Sequence, residues 1–169
     1  MDTVTDAQVA VTLTVPASPE QMWDRITAVS RIGEWSPEAT GAQWCGSGPA
    51  AVPGAGFTGH NRFPNGLVTT VTCVVIEADR PHSFAWTVLD DAGQVSSTWR
   101  YELRDGRTPG SAVVRHSFTH GAGHSGMRTN ADADPGTLQD RLATICRNMA
   151  VTVTAMGSSG QDPSPVTRS

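Results

Sequence analysis

The residues able to do chemistry sit in a few short segments rather than in one dense motif. In Phe57-Thr58-Gly59-His60-Asn61-Arg62-Phe63, the two-residue repeat of an extended chain puts Phe57, Gly59, Asn61 and Phe63 on one face and Thr58, His60 and Arg62 on the other. The apolar set is expected to face inward. Asn61 then becomes a buried donor and acceptor that needs a partner from backbone, water or ligand, while His60 and Arg62 point outward unless a bulge re-aims one of them. The segment Val113-Val114-Arg115-His116-Ser117-Phe118 allows two orientations. An inward Arg115 could stabilise an enolate or a carboxylate, and an inward His116 could act as a general base near neutral pH. Periodicity does not choose between them. Glu34-Trp35-Ser36-Pro37-Glu38 lies where a helical turn passes into a strand. Trp35 could wall an opening there and Glu38 could hold a hydrogen bond or move a proton, although the spacing alone does not make a catalytic carboxylate pair.

Rings surround these polar candidates. Phe84, Trp86 and Val88 share one face of an extended segment, and Ser97, Trp99, Tyr101 and Leu103 share one face of the next. Such rings could simply be core. With aromatics at only 6% of the chain, however, their concentration on two adjoining strands, with indole and phenol groups that need partners when buried, points to a lined pocket. His120 and His124 have a spacing that carries metal-ligand meaning only on a helix. The glycines around them argue against one, so no metal is expected.

The elements that must position these groups follow from period and punctuation. Val9, Val11, Leu13 and Val15 alternate along a first strand over Ala7 to Val15. Ser18-Pro19-Glu20-Gln21 combines a capping serine, a first-turn proline and a glutamine placed to close a capping box, which predicts a short helix over Pro19 to Arg25. Val29 to Gly33 adds a second short helical piece, ended by Gly33 or Pro37. Strands are expected near Ala39 to Cys45, Gly56 to Phe63, Val68 to Glu77, Ser83 to Leu89, Val95 to Arg104 and Ser111 to Thr119. Asn65-Gly66, Asp91-Ala92-Gly93 and the Asp105 to Gly110 stretch read as hairpin connections, so the strands form an antiparallel meander. His120 to Ala133, polar and glycine-rich, reads as a loop. After Asp134-Pro135, the residues Leu138, Leu142, Ile145, Met149, Thr152 or Val153, and Met156 recur at helical spacing to about Met156. That helix, roughly 20 residues or 30 Å, can cross the whole sheet. Gly157 is expected to end it, leaving 157–169 as a flexible tail behind one domain over 1–156.

The expected fold class is α+β: a helix-grip arrangement, with a curved antiparallel sheet of about seven strands around a long C-terminal helix and two short helices near the N-terminus. Curling such a sheet moves its middle away from the helix, and large side chains or a ligand must fill the gap. The expected ligand-binding residues are Trp35, Phe57, Phe84, Trp86 and Trp99, with Met149 on the helix.

Composition narrows the function further. Twelve basic residues, all arginine, stand against 16 acidic ones for a net charge of -4, without a dense basic run, so nucleic-acid binding is not expected. No apolar stretch reaches the roughly 18 residues of a spanning helix, and no basic segment followed by an apolar one opens the chain. No stable membrane insertion is therefore expected, and the default location is cytoplasmic. Cys45, Cys73 and Cys146 are far apart and read as buried thiols, not as a disulfide framework or a zinc site. No GxGxxG or phosphate loop occurs, and no cofactor is expected.

Several segments together resemble the START-like, polyketide cyclase and dehydrase (SRPBCC) superfamily, in particular its small single-domain, actinobacterial-type members. They are Val15-Pro16-Ala17-Ser18-Pro19-Glu20-Gln21-Met22-Trp23-Asp24, Val29 to Glu38, Phe57-x-Gly-x-Asn61, Cys73-Val74-Val75-Ile76-Glu77-Ala78, Phe84-Ala85-Trp86, Trp99-x-Tyr101-x-Leu103 and Arg147-Asn148-Met149-x-x-Thr152-Val153. The resemblance spans most of residues 7 to 156. It implies a deep cavity between sheet and C-terminal helix that takes a small apolar or aromatic molecule, polyketide-like in character. It also implies either cyclisation or dehydration by conformational control and acid/base groups, or non-catalytic carriage or sensing. The catalytic role would fall to Asn61, Tyr101, Arg115 or His116, and Glu38, with Trp35, Trp86 and Trp99 shaping the bound chain. The quaternary expectation is a monomer, or a homodimer through an exposed edge strand.

Overall fold

In the computed structural model, residues 2–48 and 50–160 are described. Strand β1 (Gln8–Val15) leads through Pro16 and Ala17 into α1 (Pro19–Thr27), whose start follows from the local sequence. Ser18 Oγ accepts from the Gln21 backbone N–H at 3.1 Å, and the Gln21 side chain accepts from the Ser18 N–H at 2.9 Å, closing the capping box. A 3-10 helix over Val29–Glu34 follows, one residue longer than the sequence suggests. Its Gly33 lies so close to the next strand that a Cβ would sit 2.2 Å from the Thr40 carbonyl oxygen.

Six further strands complete the meander: β2 (Ala39–Trp44), β3 (Gly56–Arg62), β4 (Val68–Asp79), β5 (Ser83–Leu89), β6 (Val95–Asp105) and β7 (Ala112–His120). The seven strands form one antiparallel sheet in the order β1-β7-β6-β5-β4-β3-β2, so β1 and β2 are its edges. Bulges between Ala39 and Gly41, between Val75 and Glu77 and between Val88 and Leu89 help the sheet to curl.

Two expectations need correction. Residues 120–133 are not a loop throughout. His120 ends β7 and is buried, and α2 (Gly126–Ala133) is a helix capped by Ser125, whose Oγ accepts from the Arg128 N–H. Nor does Gly157 end the last helix, α3 (Gly136–Ser158). A Cβ on Gly157 would lie 2.6 Å from the Cβ of Val15, so this glycine lets α3 settle directly on β1. The residues expected to form the tail, from 161 onward, lie outside the described residues.

The packing of α3 is lopsided. Its backbone comes close to β1 and, over a shorter stretch, to β7, α1 and α2, but it stands off β2–β6. Buried apolar residues accordingly form two clusters. One joins α1, the 3-10 helix and the far end of α3 to β3–β7, through Met22, Trp23, Ile26, Phe84, Tyr101, Val114, Val153 and Met156. The other gathers Phe118, Ala131, Leu138, Leu142, Ile145 and Met149.

Candidate functional site

Strand pairing decides which side chains look toward α3. Across the concave face run three rows read from the register: Trp44, Phe57, Cys73, Val88, Ser97 and His120; Val75, Trp86, Trp99, Phe118 and Val9; and Ala78, Phe84, Tyr101, His116 and Val11. The ambiguity in β7 is thereby removed. His116 pairs with Tyr101 and with Val11 and faces inward. Arg115 is exposed on the outer face, where it makes a 3.4 Å ion pair with Glu102, and the orientation that would have aimed it at a ligand is excluded.

The rings form a continuous wall. Trp86 is its hub: Phe57 stands 6.0 Å away edge-on, Phe84 5.6 Å, Tyr101 6.0 Å, and Trp99 lies nearly parallel at 6.4 Å. Phe118 closes on Trp99 at 4.8 Å. Tyr101 and His116 are stacked face to face, with centroids 3.7 Å apart and planes 6° from parallel. Trp86 packs with the first apolar cluster and Trp99 with the second, so their stack spans the seam between the two.

Burial along the wall is uneven. Phe84, Tyr101 and His116 are buried, whereas Trp44, Val71, Trp86, Val88 and Trp99 keep accessible surface although they point into the concave face. These half-buried side chains lie where α3 stands away from the sheet. At the floor of that region, Gly59 lacks a side chain between Ala42 and Val71. A fold with an aromatic and apolar cluster of this form is consistent with an internal cavity. Two surface clefts also exist, one beside Pro16, Arg107 and Pro109 and one beside Asp2, Arg128 and Pro135, but neither includes a residue of the ring wall. The candidate site therefore rests on the accessible rings and the helix standoff.

Polar groups are few and specific. His116 Nδ1 lies 2.9 Å from the Arg100 carbonyl oxygen. A carbonyl only accepts, so Nδ1 carries the proton and Nε2 presents a lone pair. Burial pushes the His116 pKa down to about 4, opposed only in part by that hydrogen bond, and burial also raises the pKa of the Tyr101 phenol. The pair is thus neutral at pH 7. Trp99 Nε1 donates to Ser97 Oγ at 3.1 Å. Asn61 is half-buried, not fully enclosed, and donates to Thr69 Oγ1 across the strand pair at 3.4 Å.

Glu38 accepts two hydrogen bonds from Arg141, at 2.7 and 2.8 Å, and Arg141 lies 5.3 Å from the ring centre of Phe63. This pair joins the approach to β2 to α3 across the gap that their backbones leave. Trp35, expected as an opening's wall, is buried in the first cluster, with Arg31 over its ring at 4.8 Å. Met149 is buried in the second cluster. His60 sits between Gln43 and Thr70, away from the rings.

Sequence reasoning missed Arg141, whose partner is 103 residues away. It also missed how completely His120 is satisfied: Nδ1 donates to the Gly121 carbonyl and Nε2 accepts from Ser125. Among the described residues there is no grouping of three or more side chains arranged to hold a metal. Among the described residues no helix is long and apolar enough to cross a membrane. Of the thiols, Cys73 is buried, Cys146 is half-buried and Cys45 is exposed, contrary to the expectation for Cys45.

The polyketide cyclase / dehydrase and lipid transport family model matches residues 6–153. No curated protein matches the sequence. Among solved structures, the chain is similar to protein NE0264 from Nitrosomonas europaea, at a TM-score of 0.64 and 14% identity over 94% of this chain and 95% of that one. It is also similar to the Polyketide_cyc-like protein Cgl2372 from Corynebacterium glutamicum, at a TM-score of 0.53 and 24% identity over 85% and 80%. The di-domain ARO/CYC protein BexL of the BE-7585A biosynthetic pathway matches at a TM-score of 0.61 and 16% identity, over 93% of this chain and 51% of that one. At these identities the likeness carries the fold.

Proposed function

The chain belongs to the polyketide cyclase / dehydrase and lipid transport family, and from that premise we propose that it binds a small, largely apolar or aromatic molecule of polyketide-like character between α3 and the concave face of the sheet. The observation that carries this reading is the accessible surface left on Trp86 and Trp99, inward-facing rings at the seam of two clusters, where α3 stands off β2–β6. Burying such rings against a flat apolar ligand gains roughly 25 cal/mol per Å² removed from water, and offset stacking adds to it. On this reading Phe57, Trp86, Trp99 and Met149 shape the ligand with Phe84 backing Trp86 from the covered end, Asn61 and Tyr101 offer hydrogen bonds, and the Glu38–Arg141 pair borders the space. On the same proposal residues 1–156 form one domain of the actinobacterial type, and the cytoplasm is the proposed place of action.

A second reading, cyclisation or dehydration of the bound molecule, is favoured by the lone pair on His116 Nε2 beside the Tyr101 phenol. Its weight is limited by basicity. An imidazole whose conjugate acid has a pKa of about 4 is a poor general base at neutral pH, because the proton it takes up is held weakly. Holding a reactive chain in one conformer is the contribution this site makes best.

Native mass spectrometry of the purified protein tests the proposal, with a copurifying apolar compound of a few hundred daltons expected. Tryptophan emission on titration with aromatic ligands should change in the native protein and change less in Trp86→Ala. Ligand-free protein whose emission ignores every aromatic compound would remove the binding reading. Turnover that survives Tyr101→Phe and His116→Phe unchanged would remove the catalytic one.

A further inference from the structure

The stacked pair Tyr101 and His116 contains two polar atoms that no other described residue uses. Both side chains are more than nine-tenths buried, at 2% and 4% exposed. Among the described residues every fully enclosed side-chain nitrogen and oxygen has a hydrogen-bond partner. Tyr101 Oη and His116 Nε2 have no such partner among those residues, so each must touch space that a water-sized group can reach. The neighbours of the pair are apolar: Phe84 and Val11 flank it along its row, and Trp86 and Trp99 stand 6.4 and 5.8 Å from the imidazole.

Complementarity fixes what these two atoms recognise. With its proton held on Nδ1 by the Arg100 carbonyl, His116 offers Nε2 only as an acceptor, and Tyr101 offers a hydroxyl that can donate. No arginine side chain is among the inward rows to neutralise an anion. We infer that Tyr101 and His116 form a polar anchor on the ring wall that selects neutral aromatic molecules bearing a phenolic or enolic hydroxyl. The ligand hydroxyl donates to His116 Nε2 and its oxygen accepts from Tyr101 Oη. A carboxylate is rejected, because it has no proton to give Nε2 and must leave water without a cation to meet it. The low proton affinity of the buried imidazole keeps the acceptor available at neutral pH and agrees with this choice.

This inference rests on the binding reading above, and the test separates the two. Affinities for naphthalene, 2-naphthol and 2-naphthoate are measured at pH 7 by quenching of tryptophan emission, in the native protein and in Tyr101→Phe, which deletes one oxygen and leaves the ring. His116→Phe is a second variant, with folding of both checked by circular dichroism. The native protein should prefer 2-naphthol to 2-naphthoate by about tenfold or more. The ratio of naphthol to naphthalene affinity should fall about fivefold to tenfold in Tyr101→Phe and at least as much in His116→Phe. If all three compounds bind but the ratio is the same in native protein and Tyr101→Phe, or if naphthoate binds as well as naphthol, the anchor is overturned and the apolar site stands. Failure of all three to bind overturns both.

Discussion

The two ends of the concave face are built from similar residues and packed in opposite ways. At one end Phe84, Tyr101, Leu103 and Val114 are covered by Met22, Trp23, Ile26, Val153 and Met156, and all nine are buried. At the other, Trp44, Val71, Trp86 and Val88 keep accessible surface although they too are apolar and point inward. The difference lies in what approaches from above. Gly157 brings α3 onto β1, and the Arg25 guanidinium ties α1 to the Met156 carbonyl at 2.9 Å, so the closed end is clamped by two helices. Over β2–β6 the backbone of α3 makes no close approach, and only the 3-10 helix at β2 and α1 at β5 and β6 come near. An aromatic face is therefore packed as core or left accessible according to how closely α1 and α3 cover it.

The most direct way to break this contrast is to truncate one ring at each end. Phe84→Ala should cost about 3–5 kcal/mol of folding stability, since a fully buried ring leaves a void that helix and sheet cannot collapse to fill. Trp86→Ala, which removes a half-buried ring, should cost about half as much in urea denaturation while weakening aromatic ligands more. Equal losses of stability would mean that the accessible end is ordinary core.

The next effect belongs to the seam. In the unfolded chain His116 titrates near its ordinary value of 6.5; in the folded protein burial moves that to about 4. Between these pH values the unfolded state binds more protons, so stability falls as pH drops through the window and is fully present above 6.5, a loss of about 3 kcal/mol at most. Burial also lowers the pKa of His120, which adds in the same direction. His116→Phe should flatten this limb in denaturation measured from pH 7.5 to 4.5. An unchanged slope would show that the imidazole is hydrated, and that the seam is more open than the stacked rings suggest.

The same contrast separates what the sequence made legible from what it did not. Alternation and turn residues sufficed for the sheet, because a half-buried strand carries its facing in its own sequence, as Val9, Val11, Leu13 and Val15 do in β1. Facing in β7 was illegible because both faces carry one valine and one candidate polar group; only pairing with Tyr101 places His116 inside. The helix α2 was hidden by glycines whose reason is close approach. A Cβ on Gly121 would fall 2.2 Å from the Val95 carbonyl oxygen and one on Gly123 2.7 Å from it. Read locally, those residues suggest looseness. The Glu38–Arg141 pair depends on tertiary placement alone, and nothing near either residue announces it.

Glycines sharpen the comparison at smaller amplitude. Gly157→Ala forces a methyl against the Val15 side chain in the clamped end and should cost about 1–3 kcal/mol. Gly59→Ala places its methyl 3.3 Å from Val71 Cγ2, and Val71 is half-buried with room to turn, so the change in stability should stay below about 1 kcal/mol. Denaturation midpoints in the same buffer check both. A costly Gly59→Ala would mean that the floor beneath the rings is already filled.

The smallest change in stability is expected at the ion pair bridging the gap. Glu38 and Arg141 keep 14% and 30% of their side-chain surface exposed, and the bidentate geometry is good, yet partial solvation discounts the attraction. Glu38→Gln should therefore cost about 1 kcal/mol or less, shrinking further at high salt. Its kinetic effect should be larger, because this pair and the Phe63 ring beneath it join α3 to the strand side where the helix backbone makes no close contact. Stopped-flow tryptophan quenching with 2-naphthol should give association and dissociation that are both faster in Glu38→Gln, with little change in their ratio. An altered affinity carried by the dissociation rate alone would put Arg141 in contact with the ligand. A loss of stability as large as that of Phe84→Ala would make the pair part of the clamp and erase the distinction between the two ends.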